Sequence, residues 1–180
     1  MKTEIRIAGL GGQGVVLAGH ILGKAAAHDG KNVTQTQSYG AEARGSQAKS
    51  EIIISDCRIG YPMVRKCDIL VAMSQEALER NLKDLNPESI LVLDSTNSQE
   101  VTKVKTKTFK LPATETSEKT FGTKTFANMI VLGALIKLTG IVSESSMIRA
   151  INETVSKEVI QINQKAFKKG EEIVPRSMGL

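Results

Sequence analysis

Six residues near the N-terminus, Gly9-Leu10-Gly11-Gly12-Gln13-Gly14, carry the clearest chemical signal in the chain. Apolar Ile5, Ile7 and Ala8 precede them, and Val15, Val16, Leu17, Ala18, Ile21, Leu22, Ala25 and Ala26 follow at helical spacing. The pattern reads as a buried strand, a glycine-rich turn and a helix. Such a turn lets the backbone approach a ligand closely, and the start of the helix presents unpaired N–H groups that favour an anion. The spacing G-x-G-x-x-G is that of dinucleotide sites, which want an acidic residue about 20 positions on, at the end of the second strand. Gln35, Thr36 and Gln37 stand there instead, on a strand expected over residues 32–36. Gly12 and Gln13 also add a glycine and an amide that the dinucleotide fingerprint does not need. The preferred reading is an anion or polar ligand other than NAD; the plainer alternative is a tight turn that holds nothing.

A polar, glycine-punctuated stretch follows that strand: Gln37-Ser38-Tyr39-Gly40-Ala41-Glu42-Ala43-Arg44-Gly45-Ser46-Gln47. It has neither a helical nor a strand period, and loops of this length and polarity are commonly functional or disordered. Other reactive groups are sparse. Cys57 and Cys67 have nine residues between them, which fits no zinc, iron–sulfur or redox motif. His20 and His28 fall on the first helix with no acidic or thiol partner at ligand spacing, so surface positions are expected. No nucleophile stands beside a base, and neither a catalytic residue nor a metal site is assigned. The formal charge of +5 is spread along the chain and aromatics make up 3% of residues, which argues against a nucleic-acid binder. The N-terminus reads straight into a strand and not into a leader. The longest apolar run, residues 126–138, is broken by Asn128, Gly133 and Lys137 and is too short for a bilayer. A cytoplasmic protein without membrane contact is the expectation.

Around these groups the chain reads as a single α/β domain over residues 1–180. The first helix should stop near Asp29-Gly30, with Gly30 in the left-handed conformation. A strand over residues 48–55 contains Ile52-Ile53-Ile54; with no helix before it, it should pair antiparallel with the preceding strand. Buried strands are expected at 68–73 and 89–94, with Ser74 capping a helix over 75–85 that Asn86-Pro87 ends. Alternation between Val101 and Lys110 places Lys103, Lys105 and Lys107 on one side of a short strand, the mark of a protected sheet edge. The C-terminal third is helical. Residues 126–138 are apolar nearly all round, so that helix is buried on all sides or covered by another subunit. Asn128, in its first turns, either bridges backbone groups or meets a ligand. Ser143 caps a further helix with Met147, Ile151, Val155, Val159 and Ile162 along one stripe. The fold class is α/β in three layers, a mixed but mostly parallel sheet with a Rossmann-like strand–turn–helix at its start.

Three segments together resemble one family. Gly9-Leu10-Gly11-Gly12-Gln13-Gly14 is similar to the G-x-G-G-Q-G of the gamma subunit of 2-oxoacid:ferredoxin oxidoreductases. Gln37-Ser38-Tyr39-Gly40-Ala41-Glu42-Ala43-Arg44-Gly45 resembles the Y-G-x-E-x-R-G loop of that family, with Ser46 where a second glycine is usual. Asn128-Met129 with Leu132-Gly133-Ala134-Leu135 resembles its buried helix, and Asn163, Ala166, Phe167 and Gly170 its C-terminal end.

The resemblance implies a subunit that does not turn over alone, in a complex for coenzyme A-dependent oxidative decarboxylation of a 2-oxoacid. It implies alpha and beta partners holding thiamine diphosphate, iron–sulfur clusters in partner chains including a ferredoxin-like delta subunit, and ferredoxin as acceptor. The residues implied for the gamma chain's own site are Gly11, Gly12, Gln13, Gly14, Tyr39, Glu42, Arg44, Ser46 and Asn128, with coenzyme A as the ligand at the interface. Arg44 suits a bidentate phosphate contact, while Gln13 and Asn128 suit the amides of a pantetheine arm; a mutual ion pair of Glu42 and Arg44 is the structural alternative. The branch most resembled is that of 2-oxoglutarate, with indolepyruvate, pyruvate and branched-chain 2-oxoacids as alternatives. A stand-alone nucleotide-binding protein and a purely structural subunit complete the set.

Overall fold

The computed structural model describes residues 1–40, 46–98 and 106–175. Its first strand, β1 (Lys2–Leu10), sends alternate side chains into opposite environments. Ile5 and Ile7 enter the main apolar core, whereas Arg6 points to the other face and is nevertheless buried. Helix α1 (Val15–His28) follows, then strands β2 (Asn32–Tyr39), β3 (Gln47–Ser55) and β4 (Cys67–Ala72), and helix α2 (Gln75–Asn81). Strands β5 (Leu85–Asp94) and β6 (Lys107–Leu111) complete the sheet, and helices α3 (Ala113–Phe121), α4 (Ala127–Thr139), α5 (Glu144–Thr154) and α6 (Ile160–Glu172) close the chain.

The sheet order is β2-β3-β1-β4-β5-β6. β3 pairs antiparallel with both β1 and β2, and the remaining pairs are parallel, so β3 alone runs against the other five strands. The mixed, mostly parallel sheet expected from the sequence is therefore present. One face packs on α1 and α4, which carry α3, α5 and α6 on their outer sides. The other face is covered by α2 over Leu70, Ala72, Leu91 and Leu93, and by Val64 over Ile53 and Cys67.

α4 is buried nearly all round by its own chain, without a second subunit. Its closest neighbour is α6, and the two backbones cross at glycines. A Cβ on Gly133 would overlap the carbonyl of Phe167, and one on Gly170 would overlap that of Ile130. Small residues at this crossing let the two helices pack backbone against backbone, where larger side chains hold helix axes about 8–10 Å apart.

Several boundaries differ from the sequence reading. β2 runs to Tyr39, three residues beyond the expected end, because β3 pairs with it along its whole length to Tyr39↔Ala48. The helix expected over 75–85 stops at Asn81 and continues as a 3₁₀ turn, Leu82–Asp84, so Asn86-Pro87 lies at the start of β5 and does not end the helix. Pro87 is accommodated there because the β4–β5 register jumps from Cys67↔Leu85 to Ile69↔Ile90, leaving the intervening residues outside the ladder. The single helix expected after Ser143 is two helices: Val155 and Ser156 are extended, a 3₁₀ turn covers Lys157–Val159, and Val159 is exposed. β6 is an edge strand with Lys107 exposed, while Lys103 and Lys105 lie outside the described residues. α3 went unexpected, since ATETSEKTF has no apolar period to announce it.

Candidate functional site

The glycine turn sits at the C-terminal ends of β1 and β4, where the chain departs to opposite sides of β1. That is the topological switch point, the usual ligand crevice of open α/β sheets. Gly12 has φ +93° and Gly14 φ +71°, left-handed values that side-chain-bearing residues rarely adopt. A Cβ on Gly12 would meet nothing within 4 Å, so its outer side is open to an approaching ligand. Gly14 is the N-cap of α1 and provides no side-chain cap. The first turn-closing bond of α1 runs from Ala18 N–H to the Gly14 carbonyl at 2.9 Å, so Val15, Val16 and Leu17 have no intrahelical acceptor.

Two amides hold this turn from within. Gln13 Oε1 accepts the Leu10 N–H at 2.7 Å, and its Nε2 donates to the Met73 carbonyl at 3.0 Å, tying the ends of β1 and β4 together. Asn128, in the first turn of α4, donates from Nδ2 to the Gly14 carbonyl at 3.3 Å and accepts the Met129 N–H at 2.9 Å. Gly14 must be glycine on this count too, since a Cβ would strike the Asn128 amide. The Gly11 N–H donates to the Ser46 carbonyl at 2.7 Å, which joins the turn to the start of β3.

Of the residues singled out from the sequence, Gly11, Gly12, Gln13, Gly14 and Asn128 therefore come together at one turn. Ser46 touches it through its backbone. Tyr39 is 61% exposed at the end of β2 and, with Ser46, lines a separate groove on the α2 side. Glu42 and Arg44 lie outside the described residues.

Beside the turn lies a crevice of about 200 Å³ lined by Gly12, Gln13, Met73, Asn97, Lys124 and Thr125. Its far wall is set by Asp94, fully buried at the end of β5, which accepts Asn97 Nδ2 at 3.0 Å, Thr96 N–H at 3.2 Å and both the hydroxyl and N–H of Thr114. The exposed ammonium of Lys124 comes from the 3₁₀ turn Lys124–Phe126 just before α4. The arrangement can receive an anion on backbone N–H groups and a helix N-terminus, with the Lys124 ammonium in reach. The sequence left Asn97, Thr114 and Lys124 unassigned. The apolar run ending in Asp94, before a Ser/Thr/Asn turn, was a usable signal for a strand-end loop; nothing local marks Lys124.

The topology also argues against a dinucleotide. In that architecture β2 lies next to β1 and its end meets the ribose. Here β3 intervenes, so β2 sits two strand spacings, about 10 Å, from β1.

Cys57 is exposed and Cys67 buried, the latter with its thiol pushed up to about 11, first by burial. His28 reaches Glu153 at 3.0 Å on the surface. Among the described residues no cluster of three or more His, Cys, Asp or Glu is placed to hold a metal, and no helix is long and apolar enough to cross a membrane.

Residues 4–173 match the family described as pyruvate ferredoxin/flavodoxin oxidoreductase, and the chain belongs to that family. Within it, the chain is 43% identical to 2-oxoglutarate synthase subunit KorC of Methanocaldococcus jannaschii, over 96% of this chain and 94% of that one. Among solved structures it is similar to the gamma subunit of a keto/oxoacid ferredoxin oxidoreductase from Geobacter sulfurreducens, with a TM-score of 0.84 and 38% identity over 94% of this chain and 96% of that one. Ketoisovalerate oxidoreductase subunit VorA of Methanothermobacter thermautotrophicus is 33% identical over 95% of this chain, which matches 36% of that longer chain. The family read from the glycine turn and the two later segments is thus confirmed, as is an oxidoreductase subunit of gamma type.

Proposed function

We propose that this chain is the gamma component of a 2-oxoacid:ferredoxin oxidoreductase acting on 2-oxoglutarate, and that its glycine turn helps to close the complex over coenzyme A. The stronger identity to a 2-oxoglutarate synthase subunit than to a ketoisovalerate subunit supports that substrate. The complex would oxidise the 2-oxoacid, releasing its carboxyl group as CO₂, passing the electron pair to ferredoxin and joining the acyl carbon to the coenzyme A sulfur. Thiamine diphosphate and iron–sulfur clusters would supply the carbanion and electron chemistry from alpha, beta and delta partners, and the cytoplasm is the compartment this reading implies.

The observation that carries the coenzyme A part is the open turn. Gly12 is left-handed with empty space on its outer side, beside orphan N–H groups at the α1 N-terminus. The empty space beside Gly12 leaves room for a phosphate oxygen. In this role Gly12 faces the ligand, Gly11 and Gly14 shape the turn that Gln13 and Asn128 fix, and Lys124 neutralises charge from the crevice wall. Arg44, Glu42, Tyr39 and Ser46 belong to the same proposal on the β2–β3 side.

The test is co-purification of the tagged chain from its native extract. Recovery of a thiamine-diphosphate subunit and a ferredoxin-like subunit, with coenzyme A-dependent reduction of a viologen dye by 2-oxoglutarate, supports the reading. A chain recovered alone, with tight binding of NAD, FAD or ATP, would overturn it.

A further inference from the structure

On the opposite face of the sheet from α1 lies a polar groove of about 450 Å³, whose rim includes Tyr39 and Ser46 and whose floor the coenzyme A reading does not use. Register defines its floor. Ser38, Lys49 and Ala8 are aligned across β2, β3 and β1 one step beyond the Arg6↔Glu51 pair, on the face where Arg6 meets α2. Gln47 enters at the start of β3, and α2 with its following turn supplies Arg80, Asn81 and Asp84 as the far wall.

The floor is held rigidly. The Arg6 guanidinium donates from Nε and Nη2 to Glu51 Oε1 at 2.8 and 2.6 Å, and from Nη1 to Asn81 Oδ1 at 3.1 Å and Asp84 Oδ2 at 2.5 Å. Asn81 is fixed in turn by donating to the Ala77 carbonyl at 2.6 Å. A buried ionic network of this kind is weak as a stabiliser, and an apolar floor would serve the fold as well. Its effect is to preorganise what stands above it.

Two groups there are under-used. Gln47 Nε2 is buried and has no hydrogen-bond partner among the described residues. Lys49 Nζ lies 3.4 Å from Glu51 Oε1, a carboxylate oxygen already engaged twice by Arg6. An unpartnered buried amide calls for an acceptor, and the adjacent ammonium calls for that acceptor to be anionic. Among the described residues the six charges around the groove, Arg6, Lys49 and Arg80 against Glu51, Glu76 and Asp84, cancel. That balance accommodates one added negative charge more readily than the two of a phosphate.

We propose that this groove binds a small organic carboxylate, one of whose oxygens accepts from Gln47 Nε2 and pairs with Lys49. The site is separate from the glycine turn and stands whether or not that turn receives coenzyme A.

The experiment is titration of the full-length, isotope-labelled chain with propionate, a monoanion, at a pH above 7 where inorganic phosphate, the comparison, is mostly a dianion, followed by backbone amide shifts. Saturable binding in the millimolar range or tighter, with shifts at Ser38, Gln47, Ala77 and Arg80, is expected. Gln47→Leu and Lys49→Met should each weaken it at least tenfold. Gln47→Leu should leave the melting temperature unchanged or raise it, because it removes an unsatisfied buried donor, an outcome a merely structural glutamine would not give. Absence of saturation, shifts confined to residues 11–16, equal response to phosphate, or undiminished binding by both variants would overturn the proposal.

Discussion

The two faces of the sheet solve different problems. On the α1/α4 face, β1 and β3 present Ile5, Ile7, Ile52 and Ile54 to an apolar core continuous with five helices, and glycine lets α4 and α6 touch backbone to backbone. On the α2 face, the same strands present Arg6, Glu51 and Lys49, and among the described residues α2, its following 3₁₀ turn and a short irregular segment cover them. One face secures the fold by packing. The other holds charge in place, and the glycine turn lies where the two meet, at the end of β1.

Substitutions should separate the faces. The largest effect is expected at Arg6: Arg6→Met leaves Glu51 with Lys49 alone at 3.4 Å and deprives Asp84 of its cation, and should destabilise by about 3–5 kcal/mol in urea unfolding. Adding Glu51→Leu and Asp84→Leu should recover most of that loss, since the network contributes position more than stability. If the triple variant stays as unstable as the single, the distinction between the faces fails. On the packing face, Gly133→Leu forces α4 away from α6 and should destabilise by about 3 kcal/mol, with no apolar partner substitution able to restore it. At the junction, Gln13→Ala removes the brace between Leu10 N–H and the Met73 carbonyl and should lose about 1–3 kcal/mol. The smallest effect is acid sensitivity. Lys31 and then the N-terminal ammonium hold Asp56 at about 2, below its ordinary 3.8. Its contribution is therefore present above pH 3.8 and lost as pH falls towards 2, so Asp56→Asn should lower stability slightly at pH 7 and flatten the acid limb of the stability–pH curve, the two proteins converging near pH 2.

The parts legible from the sequence were those where local pattern and tertiary role agree. The strand–glycine–helix at residues 5–26, the antiparallel β2–β3 pair, the Ser74 cap and the all-round apolar α4 each follow from periodicity or from a single capping residue. The Ser74 hydroxyl does accept the Ala77 N–H, at 3.2 Å. The parts that were not legible depend on partners distant in sequence. Pro87 reads as a helix stop until the β4–β5 bulge is known to release its position from the ladder. Residues 35–37 read as the end of a strand because nothing local shows that β3 extends the pairing to Tyr39. Gln13 reads as an amide for a ligand and Asn128 as either a backbone bridge or a ligand contact, and only their bonds to Met73 and Gly14 show both to be braces of the turn. Lys124, far along the chain, reaches the crevice only because the turn before α4 packs beside the end of β4.

The account rests most heavily on the glycine turn as a seat for coenzyme A phosphate, with Lys124 as its cation. The direct measurement is steady-state kinetics of the assembled complex carrying Lys124→Met, an exposed position where the substitution leaves packing intact. The account predicts a KM for coenzyme A raised about tenfold, equivalent to about 1.4 kcal/mol, with kcat and the KM for 2-oxoglutarate unchanged. A KM for coenzyme A equal to that of the unaltered complex would contradict it.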